Sequence, residues 1–124
     1  MQTKLVIVAF LIFVGLSCSP YRQKDLIGDW QAISITQEGD TLKIDPKIVK
    51  FTFNKDEGYT FRSTLNYQES GTYYIINKQL FTMDTLNRAS TEKIVEILQL
   101  SPDSMNLKMN DAGKERLMKL KKVH

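Results

Sequence analysis

The chain has 124 residues, 42% hydrophobic and 25% charged, a composition that fits one globular domain and leaves no room for two. No Pro-, Gly- or Gln-rich tract argues for disorder. The 17 Lys and Arg residues stand against 14 Asp and Glu, a net charge of +3 spread along the chain, so a nucleic-acid partner is not expected.

At the N-terminus, Lys4 precedes an uninterrupted run of apolar and small residues from Leu5 to Leu16, the pattern of an export signal, which predicts a signal peptide over residues 1–17. The run is too short for a transmembrane helix, which needs about 20 apolar residues. Cys18 follows directly and is the only cysteine, so it has no intramolecular disulfide partner. Gly15-Leu16-Ser17-Cys18 resembles the lipobox of bacterial lipoproteins, although Gly15 stands where that pattern prefers Leu. The resemblance implies that Cys18 carries lipid (palmitate-type acyl chains) and becomes the mature N-terminus. Residues 18–25 then read as a tether, with a single domain over residues 26–123.

From Leu26 onward the pattern is all-β. Asp29–Thr36 is a first strand, returning at Glu38-Gly39-Asp40 into Thr41–Ile44 before Asp45-Pro46. Ile48–Asn54 places Phe51 and Phe53 on one face, and Tyr59–Ser63, beyond the turn at Lys55–Gly58, adds Tyr59 and Phe61 to the same side. Gly71–Ile76, carrying Tyr73, turns at Asn77-Lys78 into Gln79–Met83, and Asp84–Ser90 is a longer loop. Lys93–Leu100 is apolar on both parities, which leaves its inner face unassigned and admits a bulge. Ser101–Ser104 is a turn into Met105–Met109, and Asn110–Gly113 leads to the last strand, Arg116–Val123. The basic residues of that end, Lys114, Arg116, Lys119, Lys121 and Lys122, read as a partly solvated strand face. Eight or nine strands joined to their sequence neighbours predict a small antiparallel up-and-down β-barrel, because closure removes the exposed edges.

Gly28-Asp29-Trp30 at the head of the first strand, the Phe51-x-Phe53 strand, Gly58-Tyr59-Thr60-Phe61 and Gly71-Thr72-Tyr73 together resemble lipocalin-like domains of bacterial surface lipoproteins. The resemblance implies a barrel whose closed end is plugged by Trp30, a close approach at Gly28, and a basic side chain of the last strand packed over the tryptophan, for which Arg116 is the match. It also implies a small hydrophobic or amphipathic ligand, with Phe51, Phe53, Tyr59, Phe61 and Tyr73 as the candidate wall. Eight strands enclose either packed side chains or one small ligand, and the sequence leaves both open.

The residues offer little for catalysis. The one histidine is the terminal His124, no serine sits in a nucleophile elbow, and no set of His and Cys could hold a metal, so neither an enzyme nor a cofactor is expected. Among the carboxylates within or beside strands, Asp29, Glu69, Asp84 and Glu96, the one flanked by apolar residues on both sides is Glu96, which makes it the candidate for a buried acid. Two functions follow: a ligand-binding barrel held at the cell envelope, on the outer membrane or facing the periplasm, or a tethered non-catalytic module that engages another protein.

Overall fold

The computed structural model describes residues 21–87 and 92–124. The expected export segment, Cys18, and the end of the Asp84–Ser90 loop lie outside the described residues. The alternating segments form nine strands among them: β1 (Gly28–Gln37), β2 (Asp40–Thr41), β3 (Lys50–Phe53), β4 (Gly58–Arg62), β5 (Gln68–Ile76), β6 (Gln79–Asp84), β7 (Glu92–Leu100), β8 (Ser104–Asp111) and β9 (Lys114–Val123).

Every pairing is antiparallel, and the order β1-β3-β4-β5-β6-β7-β8-β9 closes through β1 on β9 into an eight-stranded barrel, with the two-residue β2 as an extra strand on β1. Closure uses nearly the whole of β1 and β9, from Asp29 opposite Val123 to Gln37 opposite Arg116. The expected return strand Thr41–Ile44 is shorter than the sequence suggested, because the chain leaves the sheet after Thr41. The third strand likewise begins only at Lys50, since Pro46–Ile48 is a 3-10 turn capped by the Asp45 side chain on the Lys47 amide at 3.0 Å.

Two register shifts explain where simple alternation fails. In β1 a bulge between Ala32 and Ser34 switches the inward parity, so Trp30, Ala32 and Ile35 are buried while Ile33 faces out. In β7 a shift between Ile97 and Gln99 does the same: Ile97 is buried, whereas Ile94 and Leu98 are exposed. Strand pairing, with its shift at the bulge, thus decides the inner face that the two-sided apolar pattern of this strand left unassigned.

The barrel's closed end is covered by a single helical turn, α1 (Gln23–Leu26). Leu26 is fully buried, Tyr21 packs against the core, and the Trp30 indole donates to the Leu26 carbonyl at 2.8 Å. Part of the segment expected as a tether is therefore docked on the barrel. Trp30 itself is fully buried, and its ring is covered by Lys122, whose Nζ lies 5.3 Å from the centroid. The expected role of Arg116 is thereby corrected: antiparallel pairing sets Trp30 opposite Lys122 and Arg116 opposite Gln37. Seven strand residues at about 3.3 Å each put Arg116 more than about 20 Å away, at the other end of the barrel. Among the described residues no helix is long and apolar enough to cross a membrane.

Candidate functional site

A ladder of aromatic rings runs up one wall. Phe53 meets Tyr73 edge-on at 4.9 Å, Phe51 stacks on Phe53 at 5.7 Å, Phe61 lies 4.6 Å from Phe51, and Tyr67 approaches Phe61 at 6.2 Å. Of the five candidate wall residues, Phe51, Phe53, Tyr59 and Tyr73 belong to the packed core, and the Tyr73 hydroxyl is used on the Asn54 carbonyl at 2.9 Å. Phe61 alone of the five reaches the principal cavity.

That cavity, of about 450 Å³, opens at the end of the barrel opposite Trp30. Its apolar wall includes Ile35, Val49, Phe61, Val95, Met109 and Met118, and its polar groups include Tyr67, Glu69, Lys93, Asp111 and Arg116. Apolar walls with a few placed polar groups, at a volume within the usual range of about 300–1,000 Å³, are the features of a small-molecule site.

The polar groups get there by strand period. Counting back by two from buried Tyr73 through Gly71 brings Glu69 inward on β5; from Ile97 through Val95 it brings Lys93 inward on β7; from Leu120 through Met118 it brings Arg116 inward on β9. Each charged residue ends an inward stripe at the mouth. Glu69 is 4% exposed overall, and its carboxylate accepts from the Tyr59 hydroxyl at 2.9 Å, from the Tyr67 hydroxyl at 2.6 Å and from the Lys93 ammonium. Burial disfavours its charge, but the hydrogen bonds from Lys93, Tyr67 and Tyr59 outweigh that and hold its pKa below the usual glutamate value. Burial, and then the bond to Glu69, pushes Tyr59 far above the ordinary phenol range. Tyr67 is pushed up to about 12, chiefly by its hydrogen bond to Glu69 and then by burial. Both hydroxyls therefore keep their protons as donors.

Glu96, the acid singled out by its apolar neighbours, points outward; its side chain is half exposed and lies 3.8 Å from the Lys108 ammonium. Even parity on β7 carries it to the solvent face. Sequence reading included Glu69 among its carboxylates but missed Tyr67 and Lys93, although counting by two from the buried stripes would have shown the Glu69 and Lys93 positions. Asp84, also buried, serves the loop after β6: it accepts from the Leu86 and Asn87 amides at 3.0 and 3.3 Å and from the Asn87 side chain at 2.7 Å. Burial opposes its charge, yet the bonds from Asn87, Ser70 and Leu86 keep its pKa low. Asp29 accepts from the Thr52 hydroxyl at 2.7 Å on an exposed part of the sheet. Among the described residues no group of three or more His, Cys, Asp and Glu side chains is placed to hold a metal ion.

Comparison with known proteins agrees with this architecture. A lipocalin-like protein from Bacteroides uniformis has a solved structure that superposes with a TM-score of 0.61, at 17% identity, covering 80% of this chain and 99% of its own. A protein from Bacteroides eggerthii matches with a TM-score of 0.58 at 15% identity, covering 79% of this chain and 99% of its own. These identities speak to the fold alone. No curated protein sequence matches the chain. The family described as "Lipocalin-like domain" matches residues 26–107, well over half of the chain, and the protein therefore belongs to the lipocalin-like domain family.

Proposed function

We propose that this protein is exported, anchored through lipid on Cys18, and binds one small hydrophobic or amphipathic molecule in the mouth of its barrel at the cell envelope. The observation that carries the binding reading is the cavity of about 450 Å³ with apolar walls and an ordered Glu69–Tyr59–Tyr67–Lys93 cluster, at the end away from the Trp30 plug. The lipocalin-like family supports it by fold, and the Leu5–Leu16 run followed by Ser17-Cys18 supports export and anchoring. Native mass spectrometry of the protein purified from its own membrane tests binding: a stoichiometric co-purifying small molecule is expected, and none across several growth conditions counts against it. Incorporation of labelled fatty acid tests the anchor, and a Cys18→Ala variant that still takes up label refutes it.

One observation favours a second reading, a tethered interaction module. Leu65, in the connection between β4 and β5 at the mouth, is 99% exposed with φ +58, so its apolar side chain is held fully in solvent. Cross-linking at position 65 in intact cells distinguishes the two, since an interaction module gives one discrete partner and a plain binding barrel gives none.

A further inference from the structure

In a closed sheet only one parity of each strand faces the interior. Walls of the mouth cavity on β1, β5 and β9 obey this, contributing Ile35, Glu69, and Arg116 with Met118. Between β7 and β8 the rule fails: inward Lys93 and Val95 line the cavity together with outward Ile94, and inward Met109 and Asp111 together with outward Asn110. An outer cavity of about 210 Å³ shares Ile94, Met109 and Asn110 with it. The strand register gives the reason. β7 and β8 pair from Leu100 opposite Met105 to Glu96 opposite Lys108 and no farther. Beyond that point, among the described residues, Glu92–Val95 pair only with β6 and Met109–Asp111 only with β9. The barrel is therefore unzipped along one seam at its mouth, and Ile94 on the lip of that seam is 55% exposed.

Extending the existing register by three residues would close the seam with matched partners. Val95 would meet Met109 on the inner face, Ile94 would meet Asn110 outside, and Lys93 would meet Asp111 inside as a pair of opposite charge. In the open seam Lys93 is held by Glu69 and Asp111 by Arg116. Each of those ion pairs has a member more than half exposed, so exchanging partners costs little, and Glu69 keeps its two tyrosine donors when Lys93 leaves.

We propose that this seam is a lateral entrance to the cavity: a ligand passes between β7 and β8 over Ile94, Val95 and Met109, and the seam closes behind it by zipping Lys93–Val95 onto Met109–Asp111. This route rests on the ligand-binding reading above and adds to it the way in. The top of the mouth is lined by Tyr67, Glu69, Lys93, Asp111 and Arg116, polar groups that an apolar molecule would have to desolvate on its way past. The seam instead offers three apolar side chains, one of them the flexible thioether of Met109.

The test uses the full chain in lipid nanodiscs, with empty nanodiscs as the partition control. Val95→Cys and Met109→Cys are combined so that a disulfide locks the zipped seam, because directly opposed residues of an antiparallel pair bring their Cβ atoms within disulfide reach. Release of N-phenyl-1-naphthylamine is followed by stopped-flow fluorescence in the oxidised and reduced forms of that one protein. Oxidation should form the bond and slow release by about tenfold or more, and reduction should restore the rate. A control pair, Asn106→Cys with Lys119→Cys, bridges outward positions of β8 and β9 that already face each other, and its oxidation should leave release unchanged. Wild-type protein gives a readout free of variants: the seam-facing amides of Met109–Asp111 should exchange with solvent faster than amides bonded across the paired part of β7 and β8, as read by NMR. No disulfide under conditions that close the control pair, or seam amides protected as well as the paired ones, overturns the zipper. A disulfide that forms without slowing release overturns the entrance and leaves the binding reading standing. Failure of the dye to bind the wild-type and reduced proteins overturns entrance and binding together.

Discussion

Replacing Glu69 by Gln removes a buried charge while keeping nearly the same shape, and so isolates what the carboxylate contributes. Tyr59 and Tyr67 donate to different oxygens, of which glutamine keeps one, so one hydroxyl retains a neutral acceptor and the other must turn to accept from the new NH2. Hydrogen bonds to a charged group are worth about 1.5–3 kcal/mol and neutral ones about 0.5–1.5 kcal/mol, so exchanging two charged bonds for neutral ones loses about 2 kcal/mol in total. The Lys93 pair adds little, because 54% of the lysine side chain is exposed and water takes over its donors. Removing the cost of burying the charge offsets part of the loss, which leaves Glu69→Gln destabilised by about 1–2 kcal/mol. For a domain of this size that is roughly a 10 °C drop in Tm. Thermal unfolding followed by circular dichroism at neutral pH measures it. The pH dependence is the sharper readout. The folded-state pKa of Glu69 lies below the unfolded one, so its stabilisation is fully present above the unfolded value and is lost as pH falls through the folded value. The gap between wild type and variant should therefore close as the solution is acidified below the ordinary glutamate range. A variant as stable as wild type at neutral pH, or a gap unchanged by acid, refutes this account of the cluster.

Gly71 leaves no room for a side chain, since a Cβ there would sit 1.9 Å from the Met83 carbonyl oxygen of the neighbouring strand; Gly71→Ala should cost about 3 kcal/mol or prevent folding, as read by urea denaturation. Ala112 occupies the hairpin between β8 and β9 at φ +53, followed by Gly113 at φ +83, a turn that suits Asn-Gly; Ala112→Asn should raise the urea midpoint by the equivalent of about 0.5–1 kcal/mol. Lys122→Met removes the cation over Trp30 and should cost about 0.5–1 kcal/mol with a change in the emission of the chain's only tryptophan, whereas Arg116→Met should leave that emission unchanged.

Period-two alternation was enough to reveal an all-β meander and the shared face of Phe51, Phe53, Tyr59 and Phe61, because side-chain direction in a strand is a local property. The Trp30 position at the head of the first strand was likewise legible from the resemblance its neighbours carry. Local pattern fails wherever a bulge intervenes, as in β7, where the choice between Ile94 and Val95 as the inward residue depends on a register shift farther along the strand. It also fails for pairs that meet only through closure. Lys122 over Trp30, in place of Arg116, is fixed by the antiparallel register of the first and last strands, a contact between residues 92 positions apart in the chain. The mouth cluster is of the same kind: Glu69, Lys93 and Arg116 each show an inward parity in sequence, but only the closed barrel brings β4, β5 and β7 together around one carboxylate and sets Arg116 across from it. The proposal of export and lipid attachment rests on sequence alone, on the Leu5–Leu16 run and Cys18. The cavity and its polar ends belong to the tertiary structure, because long-range strand pairing decides which inward stripes end at the same rim.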